Sequence, residues 1–230
     1  MFNANIYQDR RKKLCEGLES GIIFFPGNNL VPMNYPSNTL RFRQDSNFLY
    51  YCGLDYPELN LIIEVMSGET ILFGDNLSVQ DIVWEGSRTS VQLMAEFSGI
   101  SKIKSNSKLK NYLSTVSSKI HILPTYRADQ EIFLNNTLNG KYNGSSKSLI
   151  QNVIQQRSIK SKEEIFEIES ALSITAKMHK LAMKLTKDGI SEQYVVGQIE
   201  GYALSHGSRL TYPVIFTING EILHSNNYAF

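Results

Sequence analysis

Residues 60–73 read Asn60-Leu61-Ile62-Ile63-Glu64-Val65-Met66-Ser67-Gly68-Glu69-Thr70-Ile71-Leu72-Phe73. Two apolar runs, Asn60–Met66 and Thr70–Phe73, flank the short polar turn Ser67-Gly68-Glu69, the pattern of a β-hairpin. Upstream, Ile22–Phe25 is an unbroken apolar run of the length of one buried strand. Asn47–Cys52, closed by Gly53, predicts a second strand, and Lys119–Leu123, ended by Pro124, predicts another. Helical patterns fall between these strands, over 4–18, 77–84 and 90–98. Helices alternating with strands in this way predict an α/β fold with a mixed sheet.

Asn135–Ser148 is rich in Asn, Gly, Ser and Lys and carries no apolar periodicity, so it reads as a surface loop. Ser148–Gln156 predicts a short helix leading into a linker near Arg157-Ser158. The clearest helix follows. Ser161 can cap it and Glu164 completes a capping box. Ile165, Ile168, Leu172, Thr175, Met178, Ala182 and Leu185 recur at three- and four-residue spacing, and Gly189 suits the stop. A second helix has Ser191 as cap, Val195, Ile199 and Tyr202 as its apolar stripe, and Gly207 at its end. Thr211–Thr217 and Glu221–His224, joined by Asn219-Gly220, predict a closing hairpin. The expected division is a domain over residues 1–156 and the opening of another over 157–230. Two helices and a hairpin supply little core and leave strand edges unpaired. Either more chain follows or a partner chain covers this surface.

The chain has 230 residues, 42% hydrophobic and 20% charged, with a formal net charge of +1. That balance, without a basic stripe, speaks against a nucleic-acid partner. The one dense cationic cluster, Arg10-Arg11-Lys12-Lys13, lies within an amphipathic pattern and predicts a solvated helix face. Cys15 and Cys52 form no CxxC pair, so neither a zinc knuckle nor a redox motif is expected. Two lone cysteines fit a reducing compartment. The first residues lack an apolar signal-peptide core and no apolar run is long enough to span a membrane, so a cytoplasmic location is expected.

The sequence contains no HExxH, GxSxG, Walker A or GxGxxG motif. His121, His179, His206 and His224 are widely separated and make no ligand pair on one element. His224 stands at an apolar-to-polar transition before Ser225-Asn226-Asn227, which suits a strand end opening into a cleft. A satisfied surface or core histidine is the ordinary alternative. His179 follows a helical stripe and is expected to pack in a core. Trp84, the sole tryptophan, precedes Glu85-Gly86. It reads either as a buried aromatic or as an exposed recognition anchor. Arg41 and Arg43 alternate with Phe42 as in a strand, and suggest a structural ion-pair network.

Three segments together resemble the aminopeptidase P family. Arg41-Phe42-Arg43-Gln44-Asp45-Ser46-Asn47-Phe48-Leu49-Tyr50-Tyr51-Cys52-Gly53 is similar to its N-terminal signature. Arg157-Ser158-Ile159-Lys160-Ser161-Lys162-Glu163-Glu164-Ile165 resembles its domain junction, and His179 and Met183 also fit that helix. Tyr212-Pro213 with Gly220-Glu221-Ile222-Leu223-His224 resembles the segment just before the metal-binding strands.

The resemblance implies a creatinase-type N-terminal domain followed by the start of a pita-bread metallopeptidase domain. It implies hydrolysis of the bond between an N-terminal residue and proline, whose nitrogen carries no hydrogen. It also implies two divalent metal ions, commonly manganese, that activate the attacking hydroxide. Their family ligands are two aspartates, one histidine and two glutamates, none with a counterpart in this chain. No metal-binding residue is therefore assigned, and the chain alone is expected to bind no dinuclear centre. His224 matches the family histidine that contacts substrate near the scissile bond, which makes it the candidate catalytic and substrate-binding residue. Trp84 matches an aromatic that in some members reaches a neighbouring subunit's active site. The expected partners are proline-containing peptides and further copies of the chain, as a homodimer or higher homo-oligomer. A non-catalytic peptide- or protein-binding module, and a prolidase or creatinase relative, are the alternatives.

Overall fold

The computed structural model describes residues 1–142, 144–220 and 224. They form two compact units, 1–159 and 160–230.

The first unit is a five-stranded mixed sheet with helices on both faces. The strands are β1 (Ile22–Pro26), β2 (Asn60–Glu64), β3 (Thr70–Phe73), β4 (Lys102–Lys104) and β5 (Ile120–His121), in the order β4-β3-β2-β1-β5. β1 and β2 are antiparallel, with Ile22 opposite Glu64 and Phe25 opposite Leu61. The predicted hairpin is present, β2 and β3 pairing Ile62 with Ile71. The outer pairs, β3 with β4 and β1 with β5, are parallel. Both edge strands are very short, which limits unwanted pairing there.

Side chains of a strand alternate between faces, and both faces of this sheet are covered. That explains the unbroken run in β1. Ile23 and Phe25 join Leu61, Ile63 and Leu72 on one face. There they pack against α1 (Ala4–Glu16), α2 (Ser46–Cys52), α4 (Val91–Phe97) and α7 (Lys147–Ser158) through Leu14, Tyr51, Met94 and Leu149. Ile22 and Phe24 join Ile62, Ile71 and Phe73 on the other face. They meet α5 (Leu109–Thr115) and α6 (Ala128–Leu138) through Leu113 and Leu134.

Four expectations are corrected. Asn47–Cys52 is not a strand but lies in α2. Asp45 caps it, its Oδ1 accepting from the Asn47 and Phe48 N–H groups at 2.9 Å each. Gly53 ends it with φ of 75°, a conformation glycine adopts without strain. Phe48, Tyr51 and Cys52 are the buried residues, a helical spacing that the aromatic content of the segment disguised. The supposed loop 135–148 is shorter, because α6 runs to Leu138 and α7 begins at Lys147. α7 also runs through the linker expected near Arg157-Ser158. The fourth concerns the basic run of α1. Lys12 and Lys13 are exposed, but Arg10 and Arg11 are buried.

The burial of Arg11 has a clear cause. Its Nη1 donates to the Tyr51 carbonyl at 2.8 Å and to Ser98 Oγ at 3.3 Å. Its Nη2 donates to the carbonyls of Ser98 at 2.8 Å and Gly99 at 3.2 Å. These oxygens lie at the C-terminal ends of α2 and α4, where helices leave carbonyls without internal partners and carry partial negative charge. Arg10 acts alongside, donating to the Tyr50 carbonyl at 2.9 Å with its guanidinium 3.8 Å from the Tyr50 ring centre. Burial holds the Arg11 pKa below its ordinary value. α7 is tied in as well: Tyr51 Oη donates to Gln156 Oε1, and Gln156 Nε2 donates to the Arg10 carbonyl, both at 2.9 Å.

The second unit contains α8 (Lys162–Leu185) and α9 (Glu192–Ser205). The predicted capping box is formed, Glu164 N donating to Ser161 Oγ at 3.3 Å and Ser161 N to Glu164 Oε2 at 3.0 Å. Ser191 caps α9. α9 buries Val195, Val196, Ile199 and Ala203, whereas α8 buries no residue. Ile174, Met178, Leu181, Ala182 and Leu185 form its half-buried stripe. Thr211–Thr217, expected as a strand, is irregular and pairs with no strand among the described residues. The other half of that hairpin, residues 221–223, lies outside the described residues. No helix among the described residues is long and apolar enough to cross a membrane.

Arg11→Ala would strip donors from the buried carbonyls of Tyr51 and Ser98 and the half-buried carbonyl of Gly99. It is expected to lower unfolding stability by roughly 3 kcal/mol, the scale of lost charge-assisted hydrogen bonds. Lys13→Ala on the same helix should change it by less than about 0.5 kcal/mol. Urea unfolding of the two variants checks this contrast.

Candidate functional site

The segment 41–53 builds a polar hub rather than a strand with an ion-pair face. Gln44, 3% exposed, is its centre. Its Oε1 accepts from the Asn28 and Asp45 N–H groups at 2.7 and 2.8 Å, and its Nε2 donates to the Tyr56 carbonyl at 2.8 Å. One amide thereby staples the end of β1, the start of α2 and the approach to β2. Asn28 extends the hub: its Nδ2 donates to the Arg43 carbonyl at 2.8 Å, and its Oδ1 accepts from Gln130 Nε2 on α6 at 2.7 Å. The backbone packs tightly here, since a Cβ on Gly27 would lie 2.4 Å from the Leu59 carbonyl oxygen. Arg41 and Arg43 are exposed and make no ion pair among the described residues. Asn28 and Gln130 were missed in the sequence because no local pattern links residues about a hundred positions apart.

Trp84 is not the buried aromatic of its first reading. It is 82% exposed. It sits on α3 (Val79–Glu85), a seven-residue helix with no buried residue. α3 is held locally by a capping box between Ser78 and Asp81, whose bonds to Ser78 also keep the Asp81 carboxyl below its usual pKa. Val79 and Val83 are exposed on the same helix. His224 is exposed and belongs to the unit 160–230, whereas Trp84 belongs to 1–159. His179, expected in a core, is exposed on α8, whose half-buried stripe passes beside it.

The buried Ser–His couple is structural. His121 and Ser146 are buried. His121 Nε2 lies 2.9 Å from the Ser20 carbonyl oxygen and Nδ1 2.7 Å from Ser146 Oγ. A carbonyl only accepts, so the neutral ring carries its hydrogen on Nε2 and receives the Ser146 hydroxyl at Nδ1. Ser146 is also the N-cap of α7. A hydroxyl enclosed in this way has no access to a substrate carbonyl, so it is not a nucleophile. Both cysteines are free and buried. Burial pushes each thiol up from the ordinary 9.0 to about 11, so neither is a reactive thiolate. No group of three or more His, Cys, Asp or Glu side chains among the described residues could hold a metal ion. The donor set of these residues does not fit a dinuclear centre.

Two outcomes are expected. Gln44→Leu should destabilise the chain by about 2–3 kcal/mol, because it leaves one buried and two half-buried backbone groups unpaired. Trp84→Ala should stay within about 0.5 kcal/mol, and urea unfolding separates the two. Folding holds Cys15 and Cys52 protonated, so their contribution to stability is complete below pH 9 and is lost as pH rises toward 11. Stability should fall across that window, and less steeply in the Cys15→Ala, Cys52→Ala double variant, as measured by unfolding at successive pH values.

Comparison with known proteins follows the same lines. The family profile described as "Aminopeptidase P, N-terminal domain" matches residues 7–123, half of the chain. The Xaa-Pro aminopeptidase of Escherichia coli strain K12 is 27% identical over 246 residues, covering 95% of this chain and 54% of that protein. A probable Xaa-Pro aminopeptidase of Aspergillus terreus is 23% identical over 214 residues, covering 91% and 46%. Among solved structures, the low-pH form of E. coli aminopeptidase P matches with a TM-score of 0.74 at 23% identity, covering 91% of this chain and 51% of that one. The same enzyme with the inhibitor Pro-Leu matches at 0.75 and 22% identity. At that identity the structural likeness establishes the fold. The chain spans about half the length of the curated relatives it matches. With a profile match across its β-sheet unit and relatives along nearly its whole length, this chain belongs to the aminopeptidase P family.

Proposed function

We propose that this chain is the N-terminal part of a metal-dependent Xaa-Pro aminopeptidase, in which residues 1–156 form the creatinase-type domain and residues 157–230 open the pita-bread catalytic domain. The observation that carries this reading is the pairing of a complete two-faced α/β unit with relatives named as Xaa-Pro aminopeptidases that cover more than 90% of the chain.

In this reading the described residues supply scaffold and pocket wall. Cleaving an acyl–proline bond requires an activated water and stabilisation of the tetrahedral oxyanion. In such enzymes two divalent ions, commonly manganese, supply both when bound. The residues described here do not fit that pair, so no catalytic step is assigned to them through it. His224 would act on the substrate: an imidazole can orient a peptide carbonyl by donating a hydrogen bond. Trp84, a rigid exposed aromatic on a capped helix, would contribute an apolar wall for a peptide, presented to a second copy of the chain in a homodimer. Two free, buried cysteines suit a cytoplasmic protein.

The purified 230-residue chain, supplied with manganese, is expected not to hydrolyse an Xaa-Pro tripeptide above the rate in buffer. Liquid chromatography of the released N-terminal residue measures this, and turnover by the chain alone would overturn the assignment of its residues to scaffold. If the polypeptide encoded downstream carries no acidic pair, the non-catalytic binding module of the same fold becomes the correct reading.

A further inference from the structure

We propose that, in the 230-residue chain, the outer face of α8 is the interface of an antiparallel homodimer. The proposal concerns the second unit alone and is independent of peptidase activity. α8 carries two apolar stripes. Ile174, Met178, Leu181 and Leu185 are half-buried, and α9 is packed against α8. At about 3.6 residues per turn, a second stripe of Ile165, Ile168, Leu172, Ala176, His179 and Met183 lies roughly 150° away around the helix. All six are exposed, Leu172 by 51% and Met183 by 75%. They recur at three- and four-residue spacing, the pattern of a seam between two helices. The stripe is about 27 Å long, and a continuous exposed apolar strip of that kind marks an interaction surface.

The charges beside the stripe select its occupant. Residues 162–169 carry Glu163, Glu164, Glu167 and Glu169 against the single Lys162, whereas residues 177–184 carry Lys177, Lys180 and Lys184 and no acid. A second α8 running antiparallel sets each acidic half against a basic one, and a parallel copy would set like against like. Closed two-fold symmetry makes the surface self-complementary.

One charged pair fixes the register. Glu169 and Lys180 are exposed, and neither makes an ion pair or side-chain hydrogen bond among the described residues. They lie on the same edge of the stripe but about 16 Å apart along the axis, too far to pair within one chain. A two-fold axis perpendicular to α8 at the level of Ile174 brings like edges together. Glu169 then faces Lys180 of the partner subunit, and the contact occurs twice. The apolar stripe, running from Ile165 to Met183, is centred on the same level, so one axis satisfies both.

The test is light scattering coupled to gel filtration of the 230-residue chain at low ionic strength over a range of concentrations. A mass twice the 26.1 kDa of one chain is expected at the upper end. Leu172→Glu should give a monomer with its helical circular dichroism retained. Glu169→Lys and Lys180→Glu should each weaken the dimer on the order of tenfold by setting like charges opposite, and the double variant should restore it. Met66→Glu, an equally drastic change at an exposed apolar residue of the first unit, should leave the dimer intact. A monomer at every concentration would overturn the proposal and return the stripe to another occupant, such as further segments of the same polypeptide. A dimer that survives Leu172→Glu, or single charge variants that the double variant does not rescue, would also overturn it.

Discussion

The first unit depends on a buried cation placed where helices end. Arg11 carries a full charge into a site 3% exposed, which would be costly if its donors were idle. They are engaged by carbonyl oxygens at the ends of α2 and α4. The arrangement works in both directions. The carbonyls have no intrahelical partners and need donors, and the guanidinium needs a concentration of partial negative charge. No carboxylate is involved, so α1 is registered against two helices by backbone atoms. A side-chain change in α2 or α4 would leave those acceptors in place.

The sheet beneath these helices is organised by β1. Its four buried side chains alternate between two separate cores, so neither face can be lost without exposing half of the strand. The Gln44 hub closes one end of this arrangement. Polar groups buried there are satisfied by one another, the condition under which buried polarity stabilises rather than costs. The family-like signature at 41–53 therefore has a structural explanation before any catalytic one: Gln44 staples three segments, Asp45 caps α2, and Gly53 turns the chain where a Cβ would lie 2.2 Å from the Tyr7 ring.

Exposed apolar surface is distributed differently. α3 is held by its own capping box and hides none of its side chains. Trp84 is thereby displayed by local hydrogen bonds alone, consistent with a contact made to something other than its own core. α8 likewise buries no residue, although its apolar stripe is long. A helix with that pattern gains most of its stability by packing an apolar face, and among the described residues α9 provides that packing only in part.

The amino-acid sequence by itself determined the features set by short-range rules. The β2–β3 hairpin, the run of β1, the capping box of α8 and the N-cap of α9 depend on residues within a few positions of one another, and all are legible there. Tertiary structure alone decided the rest, because the deciding partners are distant in the chain. Arg11 reads as a solvated cation until Ser98 and Gly99 are brought to it. Asn47–Cys52 reads as a strand by composition, until the Asp45 cap and the core against which Phe48 and Tyr51 pack select a helix. Local propensity ranks the alternatives, but the choice falls to whichever conformation pairs the buried polar groups and covers the apolar ones, and those partners are known only once the chain has folded.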